Sequence, residues 1–450
     1  MTKRAEIIVA DIGSTLTKVC AFSQLESETP VFLGQGFGLT SVREGDVSIG
    51  LDRAKQDLEQ RLGVDTTGSE LMAASSAAGG LQMSVHGLTL DMTLRAAREA
   101  SLGAGAIVAF STAGLIQDSD LAEIARTAPD IIMLAGGIDY GDREVVVANA
   151  RALASLDLAV PIIFAGNIAA RTEVTSILRT SGKKVLVAEN VYPKIDELHI
   201  APVRDVIQNV FSEHIVAAPR MEKIKDMLRG EVIPTPGAVM RSAELLYETI
   251  GDLVVVDIGG ATSDVHSVTD GSAKFARMMA APEPRAKRTV EGDLGIFINA
   301  DSIIKAANGA IETFVPSPLP EDIGARERSA LLAKWAVDLS LWRHAGEIRI
   351  AYGAYGRSEI VEGKDLTAVH YIIGTGGALT RLGEGRAILD SVRQDPRGCK
   401  LLPPPATPVL LDSHYIMAAA GVLSQVYKES ARKLLLASIG LQDYDHRNCS

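Results

Sequence analysis

Short β-branched runs that end in an aspartate and a glycine turn recur along the chain. Leu253 to Val256 is apolar without a break, which predicts a strand buried on both faces. Asp257 closes it and Gly259 and Gly260 turn the backbone. A returning strand follows, with Thr262, Asp264, His266 and Val268 on one side and Ser263, Val265 and Ser267 on the other. Ile7 to Ala10 begins the same pattern near the N-terminus: Asp11-Ile12-Gly13-Ser14-Thr15-Leu16-Thr17-Lys18, then Val19 to Phe22 as the return. The two Asp-Ile-Gly hairpins stand 257 − 11 = 246 residues apart, so two similar halves facing each other across a cleft are expected. A third strand runs into a glycine turn at Tyr371-Ile372-Ile373-Gly374-Thr375-Gly376-Gly377-Ala378-Leu379-Thr380.

Around these hairpins the pattern predicts a strand at Val31 to Phe37, a helix at Leu51 to Leu62 and a strand at Glu70 to Ala74. From His86 to about Leu228 its character changes. Gly105 to Phe110, Asp130 to Leu134, Val160 to Phe164 and Lys184 to Val187 are strand-like, and helical stretches at Leu121 to Thr127, Arg143 to Leu156 and Arg171 to Thr180 separate them. Such alternation implies a parallel sheet covered on both faces, here a doubly wound insertion. Two of its strands end alike, at Leu134 to Asp139 and Phe164 to Ala169, so Gly136, Gly137, Asp139 and Asn167 line its carboxyl edge either as ligand contacts or as shapers of tight loops. Further on, Ile303 to Asn308 and Glu327 to His344 read as helices. A terminal helix is expected from Ile416 to Ala437, with a break near Gly421 and a frayed tail after it.

Composition narrows the class. The 450 residues are 47% hydrophobic with 41 glycines, which suits a packed α/β protein of two or three domains. The net charge of −11 argues against nucleic acid and against an anionic membrane surface as partners. No apolar run reaches a membrane span, and Cys20, Cys399 and Cys449 lack metal or disulfide spacing. A cytoplasmic protein is expected.

The hairpins themselves suggest chemistry. Glycines at a turn leave no Cβ between the backbone N–H groups and a ligand, and allow positive φ. Successive exposed N–H groups form a nest for phosphate oxygens. An aspartate beside a nest repels phosphate unless a divalent cation lies between them. Lys18 adds a mobile point charge for phosphate.

The three stretches resemble the phosphate-1, phosphate-2 and adenosine motifs of the actin, sugar kinase and Hsp70 superfamily. Pro234 to Ala243 and Asp412 to Gly421 stand where that superfamily has its two connecting helices. A closer resemblance is to the MutL-type (GlmL) accessory proteins of the glutamate mutase system. It is carried by Ser75-Ser76-Ala77-Ala78-Gly79-Gly80-Leu81, Leu134-Ala135-Gly136-Gly137, Ala165-Gly166-Asn167, Ala188-Glu189-Asn190-Val191 and Ala286 to Gly295, and so runs through the insertion.

The resemblance implies two ribonuclease H-like α/β domains around a nucleotide cleft, with an inserted parallel-sheet domain. The expected divisions are 1–85 for the first part of domain I, 86–230 for the insertion, 231–250 for a connecting helix, 251–437 for domain II and 438–450 for a tail. It implies ATP or ADP with Mg²⁺, the metal held by Asp11 and Asp257, either of which could orient the attacking water. Gly13, Ser14, Thr15, Thr17 and Lys18 would contact phosphates from one wall and Gly259, Gly260, Ala261 and Thr262 from the other. Gly374, Gly376 and Gly377 would admit the base and ribose.

Hsp70-like members carry an acidic residue where Thr235 stands, so slow hydrolysis is expected, with Glu291 and Asp293 as the nearest substitutes. Asp264-Val265-His266 resembles the start of the D-x-H-x-x-G cobalt-ligating motif, but Thr269 stands at the required glycine, so direct cobalamin ligation by His266 is not expected. The expected role is an ATP-driven reactivating factor docking the subunits of an adenosylcobalamin-dependent mutase. The alternatives are a small-molecule kinase and an actin-like scaffold, and the oligomeric state stays open.

Overall fold

The computed structural model describes residues 3–13, 16–41, 46–76, 81–217, 228–317, 320, 322–353, 356–392 and 394–442. Ser14, Thr15, most of the Ser75 to Leu81 motif and most of the expected tail lie outside the described residues. The chain divides into two compact units: one of Met1–Ala78, Val216–Ala280 and Arg285–Ser450, the other of Gly79–Ile215 and Ala281–Pro284.

The larger unit holds two five-stranded sheets of one topology. In the first the order is Val31–Leu39, Leu16–Ser23, Ile7–Ile12, Glu70–Ser75, Ile233–Pro234. In the second it is Ala286–Glu291, Ser263–Val268, Leu253–Ile258, Tyr371–Thr375, Val409–Leu411. Each consists of three antiparallel strands followed by two that run parallel to the central one. The registers also correspond: Asp11 faces Lys18 and Ala74 across the ladder, as Asp257 faces Asp264 and Thr375. This is a duplicated ribonuclease H-like half.

Between the sheets lie the helices Thr235–Ile250 and Met417–Leu423. Ile7, Val9, Cys20 and Phe22 of one sheet and Leu253, Val255 and Val268 of the other share one core with both helices. The helices touch backbone to backbone: a Cβ on Gly421 would lie 1.9 Å from the Ala238 carbonyl oxygen. Ser242 Oγ donates to the Met417 carbonyl at 2.6 Å beside that crossing. Gly421 therefore sits within a helix, and the expected break comes later, between Leu423 and the next helix, Lys428–Ser438. The outer face of the second sheet carries Ala300–Ala306 and Ile323–His344, and that of the first carries Val47–Leu62. Glu347–Gly353 and Gly356–Glu362 form a separate hairpin that the sequence pattern did not reveal.

The smaller unit is a five-stranded parallel sheet in the order Ile107–Ala113, Gln82–Gly87, Ile131–Leu134, Ile162–Phe164, Val185–Val187. In chain order this is 2-1-3-4-5, a doubly wound arrangement whose switch point lies between the first and third strands. Gln82–Gly87 is its first strand and lies inside the sheet, so the unit begins earlier than residue 86. Among the described residues, no helix of the chain is long and apolar enough to cross a membrane.

Candidate functional site

In each sheet the apolar residues facing the helix pair end in a carboxylate. Ile7 and Val9 lead to Asp11, and Leu253 and Val255 lead to Asp257, because alternate residues of a strand share a face. The turns that follow are built alike. Gly13 N–H donates to the Leu16 carbonyl at 3.0 Å and Gly259 N–H to the Thr262 carbonyl at 3.0 Å. Neither glycine has positive φ among the described residues, in contrast to expectation. Close approach is what requires them, since a Cβ would meet the Leu16 oxygen at 2.6 Å or the Thr262 oxygen at 2.9 Å.

The second turn is clamped from behind. Ile296 N–H donates to the Gly259 carbonyl, Phe297 and Ile298 N–H to the Gly260 carbonyl, and Asn299 Nδ2 to the Ala261 carbonyl. The carbonyls are thereby used, while the N–H groups of Gly260, Ala261 and Thr262 have no partner among the described residues. That is the donor pattern of an anion nest. The segment after Glu291 thus returns to this turn.

Asp11 is almost fully buried. Its Oδ1 accepts a 2.7 Å hydrogen bond from Thr235 Oγ1, on the first residue of the connecting helix, and its Oδ2 lies 3.6 Å from Lys18 Nζ. Lys18 is fixed rather than mobile. Its ammonium donates to the Tyr415 carbonyl at 3.0 Å and lies 3.5 Å from the centre of the Tyr415 ring. Burial alone would lower the Lys18 pKa, but Tyr415, Asp11, Cys20 and Asp412 together hold it above the ordinary lysine value. Tyr415 has φ +51 and its hydroxyl is pushed up to about 12, chiefly by burial.

Asp257 is half-buried and its carboxyl is pushed up to about 7. Burial is the main cause, then the Asp264 carboxylate across the ladder, with Asp11 and Asp412 adding and Lys18 opposing. Asp264 accepts from Arg288 Nε at 2.8 Å and from Thr262 Oγ1 at 3.0 Å. Gly376 closes in behind Asp257: it has φ +87, and a Cβ there would lie 2.5 Å from Asp257 Oδ1. Asp412 is fully buried, accepting from Thr375 Oγ1 at 2.9 Å and from the backbone N–H groups of Ile416 and Met417. It thereby anchors the Tyr415 loop to the start of the second connecting helix.

The structure thus brings Asp11, Lys18, Asp257 and Gly376 together, with the turns at Gly13 and Gly259 to Thr262 beside their carboxylates. It sets two expected residues apart. Thr17 is fully buried on the opposite face of its strand, 3.1 Å from Thr40 Oγ1. Gly374 is packed among Leu379, Leu389 and Leu411, where a Cβ would meet Leu389 at 2.4 Å, so its smallness serves the core. Gly377 has open space around its Cβ position. Glu291 and Asp293 are bound by Arg343, at 2.6 Å and 2.7 Å, from the outer-face helix, away from Asp257. His266 is a fully buried strand residue between Val255 and Arg288.

Tyr415, Asp412 and Asp264 were missed as site residues. Only their places next to quoted motifs could have indicated them, because each acts through a contact across strands or lobes.

Among the described residues no three His, Cys, Asp or Glu side chains cluster as a protein-only metal cage. Two carboxylates beside an N–H nest instead fit a Mg²⁺ that keeps its waters and shares phosphate oxygens.

Duplicated sheets, crossed connecting helices and paired strand-end carboxylates define a two-lobed protein of the actin, sugar kinase and Hsp70 fold, interrupted by a doubly wound unit. The chain belongs to the MutL protein family, whose pattern matches residues 7–439. It is 34% identical over 455 residues to Protein MutL of Clostridium tetanomorphum, covering 95% of this chain and 98% of that one. Similar solved structures include a diol dehydratase-reactivating factor in nucleotide-free form (TM-score 0.31, 11% identity, 94% of this chain and 100% of that one). A glycerol dehydratase reactivase is also similar (TM-score 0.28, 10% identity, 85% and 94%).

Proposed function

We propose that this protein is an ATP-dependent accessory and reactivating factor for an adenosylcobalamin-dependent mutase such as glutamate mutase. One observation carries the nucleotide reading: two aspartates at the same register position of two sheets of one strand order, one of them beside a turn whose N–H groups have no acceptor among the described residues. Family membership supports the mutase as partner.

In this reading Asp11 and Asp257 would hold a Mg²⁺ that accompanies the nucleotide's phosphates, and the N–H groups of Gly260 to Thr262 would receive phosphate oxygens. Bound Mg²⁺ would neutralise phosphate charge during transfer. Either Asp11 or Asp257 would orient the attacking water. Thr235 stands where an acidic residue would assist, so turnover is slow. Closure of the two lobes moves the helix pair that crosses at Gly421 and Ala238. Nucleotide state can thereby change partner affinity, and a coupling of ~1–3 kcal/mol is about 5- to 150-fold in binding.

The test uses mutase inactivated by an inert bound cobalamin, with fresh adenosylcobalamin and this protein. Activity should return only with Mg-ATP, and Asp257→Ala should fail. Equal recovery without nucleotide would leave a passive assembly chaperone, and rapid phosphorylation of a metabolite would favour a kinase.

A further inference from the structure

The large apolar side chains that the smaller unit exposes gather, among the described residues, at one end of its sheet. They are Leu90, Leu115, Tyr140, Ile168, Val187 and Ile195. Each lies at or just beyond the carboxyl end of one of the five parallel strands, so they share one edge of the sheet. Five strands at ~4.8 Å spacing put the outer members about 19 Å apart. Tyr140 is 82% exposed and Leu90 62%, values far above those of an ordinary loop residue folded back on its core.

These loops are held rigidly. Asn167, fully buried, accepts from the N–H of Tyr140 at 2.9 Å and donates to the Gly141 and Asp142 carbonyls. Asp139 accepts from Ile168 N–H and from Asn190 Nδ2, which also reaches the Gly137 carbonyl. Asn149 fixes Gly114 and Ile116 on either side of Leu115. Tyr140 itself sits at φ +63, a conformation disfavoured for a tyrosine and kept by these bonds. The glycines and asparagines of the repeated loop motif therefore shape the edge, and the apolar tips they present have no role within the unit. An exposed apolar patch of this kind marks an interaction site.

The charge around it selects the partner. Asp91, Asp118, Asp142, Glu189 and Asp196 are exposed in the same loops and helix starts. Of the basic side chains there, Arg143 is paired with Glu173 and Lys194 with Glu197, while Arg171 adds a positive charge and His199 bonds Glu189, so acidic groups remain in excess. Apolar tips interspersed with acidic side chains are complementary to an apolar patch flanked by Lys and Arg.

We propose that this edge docks a folded protein subunit with an apolar face flanked by Lys and Arg and, resting on the reading above, that the subunit belongs to the mutase. The experiment measures binding of the purified mutase subunits to the full chain by calorimetry at two salt concentrations. Leu90→Asp with Tyr140→Asp, and separately Glu189→Lys with Asp196→Lys, are compared with wild type. Val315→Asp with Ile323→Asp, exposed in the larger unit, is the control.

The expected result is at least ~10-fold weaker mutase binding for both edge variants, unchanged Mg-ATP binding, an unaffected control, and wild-type affinity that falls with salt. Wild-type binding that the edge variants retain overturns the surface and leaves the function standing. Wild type that binds neither subunit overturns the mutase reading, and the surface assignment with it. A concentration-dependent dimer that the edge variants disperse while mutase binding persists assigns the edge to a second copy and overturns the proposal.

Discussion

Asp257→Asn should make the nucleotide-free protein more stable while removing its Mg-ATP binding. The Asp257 carboxyl is raised from the ordinary 3.8 to about 7 by burial and by the Asp264 carboxylate. A carboxyl raised in the folded state costs stability wherever the unfolded chain has already lost that proton. Below pH ~4 both states are protonated and the cost vanishes; it grows through the interval between the two pKa values and is complete above pH ~7. At ~1.4 kcal/mol per pH unit the ceiling is about 4 kcal/mol, of which about 2–3 develops between pH 5 and pH 8. Partial solvent access reduces this, so a gain of ~1–2 kcal/mol for the asparagine at pH 8 is expected, with a smaller gain at pH 5. Urea unfolding of both proteins at the two pH values measures it, and calorimetry at pH 8 follows Mg-ATP. A wild-type-to-variant difference that is the same at both pH values, or larger at pH 5, would refute the raised carboxyl. Unchanged Mg-ATP binding would refute the site.

Three further perturbations test neighbouring links. Gly421→Val places its side chain on the Ala238 carbonyl, 1.9 Å from the Cβ position, so the helices must part; a loss of ~1–3 kcal/mol is expected in urea unfolding. Lys18→Met leaves the Tyr415 carbonyl and Asp11 without their cation, and calorimetry should show Mg-ATP binding weakened by at least ~10-fold. Thr235→Val removes the 2.7 Å donor to Asp11 and should lower ATP turnover several-fold with the melting curve little changed, whereas Thr235→Ser should restore it.

The two hairpins were legible because their apolar runs are unbroken and end in the same Asp-Ile-Gly triplet. Identical sheet order follows from that repetition once the third strand of each half and the two parallel ones are placed. The strand Gln82–Gly87 was not legible. Ser84 and His86 interrupt its apolar pattern, yet both are fully buried, because His86 bonds Ser84 and Thr112 at 2.8 Å each. Burial then holds the His86 imidazole neutral, its pKa lowered to about 4. Polar residues that satisfy one another inside a core look like surface in a sequence. Gly374 misled in the opposite way, since a glycine demanded by three leucines is indistinguishable in sequence from one demanded by a ligand. Lys18 looked mobile because nothing local shows that Tyr415, 397 residues away, holds it.

The duplicated halves differ where their carboxylates meet their cross-strand neighbours, and that difference divides their labour. Asp11 faces a lysine and receives a hydroxyl from the connecting helix, so its position is fixed by an opposite charge and a donor. Asp257 faces Asp264, whose own charge is taken up by the buried Arg288, and has only the bare backbone of Gly376 at its back. A like charge and burial together bring Asp257 to the edge of ionisation near neutral pH, where arrival of a cation would release its proton. The first lobe thus supplies an anchored carboxylate tied to the helix that joins the lobes. The second supplies one whose charge depends on what occupies the cleft. In the proposed site a pair of equal aspartates would only bind a metal; this unequal pair would also link occupancy to lobe geometry, because Lys18 and the Tyr415 loop connect the anchored side to the second helix.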